Sequence, residues 1–482
     1  MTRPVLRLCL LAVLCGSLSA APAAQAPDRS KPPMPGPPPR LDLPAIERRT
    51  LSNGLPVWLV ESHEVPLVQV TLLVKAGAGD DPAGKFGVAS LTAAMLDEGA
   101  GSRDALQLAD AVEFLGAALT TAASFDASAV RLNVPLARIT EALPLMADVV
   151  MRPTFPAREL ERLRQERLTA LLQAKDDPAA VAPLAFARVV FGAGHRYGTG
   201  ITGTETTLKG FTVQDLQAFH ASMYRPDNSV LIVVGDVKAD TVLPQLEAQF
   251  GTWKAAGAAP ARKPVPQAGQ LAAREITIVD IPGAAQSQIR IGGVGVPRST
   301  PDYFPILVLN TVLGGSFTSR LNQNLREKNQ YSYGASSRFD LRLSAGAFQA
   351  GAGVQTDKTA EALKEFFNEL NGMLQPVPEE ELARARNYIA LGFPGEFETS
   401  GDLSAKLEEM AIYNLPDRYF EEYVDNVQKV TGASVQKAAA TYIQPARFAV
   451  VVVGDRKVIE PGIRALDLGP VRTMTVDEAV GQ

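Results

Sequence analysis

The chain has 482 residues, 46% of them hydrophobic and 21% charged, and a formal net charge of -5. This is the composition of an ordinary globular protein with material for several domains. The negative balance, with no basic stripe carrying interleaved aromatics, excludes a general nucleic-acid binder.

Arg3 and Arg7 precede an apolar run from Leu8 to Leu18 that is too short to span a bilayer. Small residues follow at Ser19, Ala20, Ala21, Ala23 and Ala24. The pattern predicts an export signal over residues 1–26, cut near Ala20 or Ala26, and no membrane span once it is removed. An uncleaved anchor is one alternative. A lipoprotein built on Cys15 is another, although Leu14 stands where that signal needs a small residue. Both cysteines, Cys9 and Cys15, fall inside the signal. The processed chain would then form no disulfide, bind no Cys-ligated zinc and carry a net charge of about -7. An exported protein of this size without disulfides points to a bacterial periplasm.

Residues 27–45 are rich in Pro and Ala and read as an extended tether. Leu55 to Val60 and Val68 to Val74 read as strands, Val88 to Leu96 and Asp104 to Leu115 as helices, and Ala127 to Val134 as a strand. Glu159 to Gln173 reads as a long helix whose apolar stripe is Leu160, Leu163, Leu168, Leu171 and Leu172, and Val230 to Val234 as a buried strand. A second Ala/Pro-rich run, residues 254–272, separates two stretches that repeat one another. Thr212/Thr431, Pro226/Pro445 and Gly235/Gly454 share one offset of 219 residues, and Pro156/Pro378 lie at 222. These offsets predict a duplicated α+β domain, residues 46–253 and 273–470, with 471–482 as a tail.

Five segments together resemble the pitrilysin/insulinase-type metallopeptidases, the inverzincins. They are Leu51-Ser52-Asn53-Gly54-Leu55, Asp81 to Gly87, Phe191 to Gly198, Tyr224 to Asn228 and Leu313 to Phe317. The resemblance covers the chain beyond the signal and implies two homologous mitochondrial-processing-peptidase-like domains. In that family a helix in the frame of Gly87 to Leu96 carries H-x-x-E-H. Here those positions are Ser90, Ala93 and Ala94. The family's last ligand, a Glu on a later helix, falls at Thr169 or Ala170. Alanine has no lone pair for a metal and cannot act as a base, and a neutral serine hydroxyl is a poor ligand. Val88, Leu91 and Met95 share one helical face and are expected in the core, with Ser90, Ala93 and Ala94 on the other side. The family's substrate-pairing strand corresponds to Thr120-Thr121-Ala122-Ala123. The three histidines, His63, His195 and His220, have no pair at ligand spacing on one helix and are read as surface or packing residues.

One part of the family site survives. Leu325 to Gly334 resembles its Arg/Tyr segment, in which an Arg and a Tyr seven residues apart reach the substrate across the closed molecule. Arg326 and Tyr333 have that spacing, while Tyr331 is five residues from Arg326. A Tyr hydroxyl can donate to a tetrahedral oxyanion, and an Arg fork can hold substrate carbonyls. A helix over Asn322 to Lys328 and a strand over Tyr331 to Ser336 are expected to carry them. Gly314, Gly315 and Ser316 match the family's glycine-rich loop that touches the peptide. The resemblance thus implies a non-catalytic subunit with no cofactor of its own. Its partner would be a homologous chain holding zinc, and its substrate a peptide. A scaffold or peptide-binding protein of the same fold is the alternative.

Overall fold

Alternating apolar strands build two six-stranded sheets. A computed structural model describes residues 36–38, 41–255, 257–258, 262 and 264–481, so the expected signal and most of the tether lie outside the described residues. The first sheet holds β1 (Glu47–Thr50), β2 (Pro56–Glu61), β3 (Leu67–Val74), β4 (Ala118–Ala123), β5 (Ser128–Pro135) and β6 (Ser229–Gly235), in the order β1-β2-β6-β3-β5-β4. The second holds β7 (Glu275–Asp280), β8 (Gln286–Val294), β9 (Ser332–Leu341), β10 (Ala345–Gln355), β11 (Ala449–Gly454) and β12 (Val471–Met474), in the order β9-β10-β8-β11-β7-β12.

Traced from opposite edges, the two orders are the same path. β2 runs parallel to β6, as β7 does to β11. The central β3 and β8 are antiparallel to both neighbours. The chain is therefore two copies of one mixed α/β unit.

The principal helices of the first copy are α1 (Val88–Met95), α2 (Ala105–Phe114), α3 (Ile139–Met151), α4 (Ala157–Ala174), α5 (Pro178–Phe191), α6 (Val213–Met223) and α7 (Ala239–Phe250). Those of the second are α8 (Tyr303–Leu313), α9 (Thr359–Gly372), α10 (Glu379–Gly392), α11 (Ser400–Tyr413), α12 (Gly432–Tyr442), α13 (Arg456–Ala465) and α14 (Val476–Val480). The repeated residues have matching jobs. Thr212 and Thr431 cap α6 and α12 by accepting from the amides of Asp215 and Ser434. Pro156 and Pro378 open α4 and α10.

Each sheet is covered on both faces, and one cover comes from the other copy. In β6, Leu231 and Val233 join the first copy's own core, while Val230, Ile232 and Val234 face the opposite way, into a cluster with Leu407, Met410 and Ala411 of α11. In return, Val181, Ala182, Ala185 and Phe186 of α5 pack on Val451 and Val453 of the second sheet. Arg131 on β5 donates from Nε to Glu408 of α11 at 2.9 Å, and Thr71 meets Ser404 at 3.0 Å. From Pro38 onward the two copies form one unit.

Three details depart from the sequence reading. Residues 471–474 are an edge strand parallel to β7, and Ala479 and Val480 of α14 are buried against α5, so the second copy extends through the expected tail. Its added edge strand mirrors β1 in the first sheet, which the pattern of residues 273–470 alone does not reveal. Leu172 drops out of the α4 stripe and is 64% exposed, because the buried face runs through Leu160 and Leu163 and is flanked by Leu168 and Leu171. Leu41 and Leu43 at the tether's end pack against the second copy's core. No helix among the described residues is long and apolar enough to cross a membrane.

Candidate functional site

The helix α1 is fixed at its first turn by a buried carboxylate. Asp81 accepts from the amides of Gly87 at 2.7 Å and Ala89 at 2.9 Å, and from Arg196 Nη2 at 2.9 Å. The Arg196 guanidinium lies between the rings of Phe86 and Phe125, 4.9 and 5.0 Å from their centroids. Burial pushes the Asp81 carboxyl up to about 6 against the pull of Arg196 and the two amides. Gly87 takes φ +104°, and a Cβ there would lie 2.5 Å from the Thr202 carbonyl oxygen, so only glycine fits the entry to α1.

Val88, Leu91 and Met95 are buried as their spacing predicts. The other three positions do not form one outward row. Ser90 and Ala94 are partly exposed, but Ala93 is buried, because α1 is wedged between α6 and β4. The strand Thr120 to Ala123 lies within β4, at the open edge of the first sheet.

On α4, Thr169 and Ala170 are exposed. The side chain of α4 that reaches α1 is Arg167. Its Nη2 donates to the Ser90 carbonyl at 3.0 Å, and its Nη1 is buried without a hydrogen-bond partner among the described residues. Burial lowers its pKa. Arg167 escaped the sequence reading, yet it had a signal: a charged residue at the inward spacing of Leu160, Leu163 and Leu171.

A hydroxyl, two methyl groups and a guanidinium do not fit zinc, which needs imidazole, thiolate or carboxylate donors. Among the described residues no cluster of three His, Cys, Asp or Glu side chains has metal-holding geometry. The histidines have other work. His63 bridges Asp236 and Glu61 on the surface. His195 accepts from the Tyr197 amide through Nδ1 and meets the Pro266 carbonyl at 2.7 Å through Nε2. The half-buried His220 meets the Val150 carbonyl at 2.8 Å.

The second copy presents a different surface. The expected helix is present only as one α-turn, Arg320–Asn322, which continues as a π-helix over Gln323–Lys328. Such wide turns re-aim side chains and recur at functional sites. Arg326 is half-exposed, 3.3 Å from Glu327, with its guanidinium 4.6 Å from the ring centroid of the exposed Phe317.

Tyr333 lies in β9, the open edge of the second sheet. Between Ser332 and Ala335 the pairing with β10 shifts by one residue, a bulge that turns Tyr333 outward to 89% exposure. Ser332 holds the bulge by accepting from the Gly334 amide at 3.0 Å and donating to the Gly353 carbonyl at 2.7 Å.

Asn322 links the segments. Its Nδ2 donates to the Phe317 carbonyl at 2.7 Å, and its Oδ1 accepts from the Ala335 amide at 3.3 Å. Arg326 follows one turn later. Gly314 lets the loop press on β9, since a Cβ would lie 2.3 Å from the Ser337 nitrogen, and a Cβ on Gly315 would lie 2.7 Å from Asn310 Nδ2. Ser316 donates to the Thr311 carbonyl at 3.2 Å and lines a cleft with Arg320, Glu381 and Tyr388. The sequence singles out Arg326, Tyr333 and the glycines as candidates but not Asn322, an ordinary polar residue whose bonds appear only when loop and strand meet.

The profile described as insulinase (peptidase family M16) matches residues 57–197, and that of the peptidase M16 inactive domain matches residues 210–389. An uncharacterized zinc protease of Mycobacterium tuberculosis is 25% identical over 415 residues, 85% of this chain and 93% of that protein. A crystal structure of a peptidase M16 inactive domain from Pseudomonas fluorescens superposes with a TM-score of 0.79 at 28% identity, covering 85% of this chain and 98% of that one. A protease from Helicobacter pylori shares the fold, with a TM-score of 0.78 at 21% identity, covering 85% of this chain and 100% of that one.

Proposed function

We propose that this chain, which belongs to the M16 family of peptidases, is the non-catalytic subunit of a two-chain zinc peptidase. A homologous partner carries the metal and the base. This chain closes over the bound peptide and offers Arg326 and Tyr333 to it, with Gly314, Gly315 and Ser316 touching the peptide backbone. The pair acts after export, in the periplasm.

The observation that carries this reading is the asymmetry between the copies. The helix that would bind metal has lost every donor, at Ser90, Ala93 and Ala94. The second copy meanwhile holds Tyr333 outward on a bulge and Arg326 on a π-turn, both at its open edge. Decay without selection would have no reason to spare one side.

The test is co-purification with the metal-bearing homologue, reconstitution, and assay of peptide hydrolysis. Arg326→Ala with Tyr333→Phe is expected to lower kcat/KM of the pair by about 100-fold, the usual loss on removing oxyanion-side donors. An unchanged pair would assign this chain a scaffolding role. A single purified chain with stoichiometric zinc and peptidase activity would overturn the reading.

A further inference from the structure

We infer that Arg167 now stands where a metal ion would be held, as a fixed cation that closes the first-copy site to divalent ions. The inference rests on reading α1 as the former metal helix, and it goes beyond the loss of ligands. In it, the pocket has been refilled as well as emptied.

The geometry comes from one hydrogen bond. In an α-helix the carbonyl of residue i points along the axis toward residue i+4. The Ser90 carbonyl therefore lies beside Ala93 and Ala94, and the Arg167 Nη2 that donates to it at 3.0 Å sits against the same patch. Ala170 is one turn after Arg167 on the same side of α4. Donors restored at 90 and 94, and at 170 one turn along α4, would be neighbours of this guanidinium.

Two further observations make Arg167 a resident cation. Its Nη1 is buried with no partner among the described residues, so the charge is not spread over a local carboxylate. The acidic side chain that acts on it is its own neighbour Glu166, which is exposed and meets Arg162 at 3.4 Å instead. A guanidinium stays protonated in proteins, so the positive charge is permanent. A divalent ion a few ångströms away would meet repulsion from it. Restoring the ligands alone should then fail to restore metal binding.

The decisive experiment compares two variants of the full chain. The first carries Ser90→His, Ala93→Glu, Ala94→His and Ala170→Glu. The second adds Arg167→Leu. Thermal unfolding checks that both fold. Zinc content is read by elemental analysis, and affinity by competition with a chromogenic chelator. The expected result is zinc binding at least about 100-fold weaker in the first variant, which keeps Arg167, than in the second. Equal affinity overturns the proposal, and so does an absence of zinc from both.

A second measurement works even if those variants unfold. In a Cys9→Ser, Cys15→Ser background, Ala94→Cys is the only thiol in the chain. Its alkylation by neutral iodoacetamide at pH 7 should be several-fold faster with Arg167 in place than after Arg167→Leu, because a nearby cation favours the thiolate. Equal rates would place the guanidinium away from the site and end the argument. Neither assay depends on Arg326 or Tyr333, so a failure here is separable from a failure of the subunit reading.

Discussion

Arg196 donates through Nη2 to the Asp81 carboxylate at 2.9 Å, with both side chains withdrawn from solvent. The same carboxylate accepts from the first-turn amides of α1. Two sequence motifs more than a hundred residues apart thus meet to hold one helix N-terminus. The anchoring of this helix is intact although Ser90, Ala93 and Ala94 carry no metal donor. Arg196→Ala would leave Asp81 buried and unpaired, and should destabilise the chain by about 3–5 kcal/mol. Arg196→Lys should recover part of this, since an ammonium keeps the charge but loses the fork and its stacking on Phe86 and Phe125. Urea unfolding of the three proteins measures it. A loss below about 1 kcal/mol for Arg196→Ala would mean the pair does not anchor α1.

Asn322 is the joint of the second-copy surface. Asn322→Ala removes bonds to the Phe317 carbonyl and the Ala335 amide, both from a buried side chain. The expected cost is about 1–3 kcal/mol. The more specific outcome is local. Hydrogen exchange should speed up over 331–336 and 316–319 while strands β7 and β11 stay protected. Uniform acceleration across the second sheet would assign Asn322 a general packing role instead.

The histidines give a pH test whose sign differs by site. Hydrogen bonds to Asp236 and then Glu61 raise the exposed His63 above its ordinary 6.5. Burial lowers His220 below it. For His63 the folded state holds the proton more tightly, so its contribution to stability is present below 6.5 and lost as pH rises through the raised value. For His220 the contribution is present above 6.5 and lost as pH falls through the lowered value. Imidazole NMR titration resolves both, with His63→Gln assigning one signal. Reversed midpoints would contradict the geometry of both sites.

Much of the fold was legible because it is written in short-range pattern. β2, β3, β5, β6 and the α4 helix follow from period-two and period-3.6 apolar spacing, and the copies follow from shared offsets. That Ser90, Ala93 and Ala94 offer no metal donor is a matter of residue type and reads directly from the sequence. What was not legible depends on distant partners. The inward turn of Ala93 follows from α6 and β4 closing on both sides of α1. The π-turn at Gln323–Lys328 and the bulge at Tyr333 are backbone adjustments to neighbours, and residue preference alone does not encode them. The contact of Arg167 with the Ser90 carbonyl likewise depends on how α4 and α1 pack.

The exchange of helices between the copies leads to a last prediction. The linker at 254–272 invites division into two independent domains, but each sheet needs a helix from the other copy. Without α11, residues 46–253 would expose Val60, Leu73, Val230, Ile232 and Val234 to water, along with Arg131 stripped of Glu408. Each large side chain among these loses about 1.5–3 kcal/mol of burial, which together is comparable to the whole margin by which domains are stable. The full chain should therefore melt in one calorimetric transition, and residues 46–253 and 273–482 expressed separately should be insoluble or unfolded. Mixed from denaturant, the two pieces should recover the fold together, because the contacts that unite them are side-chain packing and do not need the covalent linker. Two separated transitions in the intact chain, or a soluble and cooperatively folded half, would show that α5 and α11 are accessory covers and that each sheet is stable under its own helices.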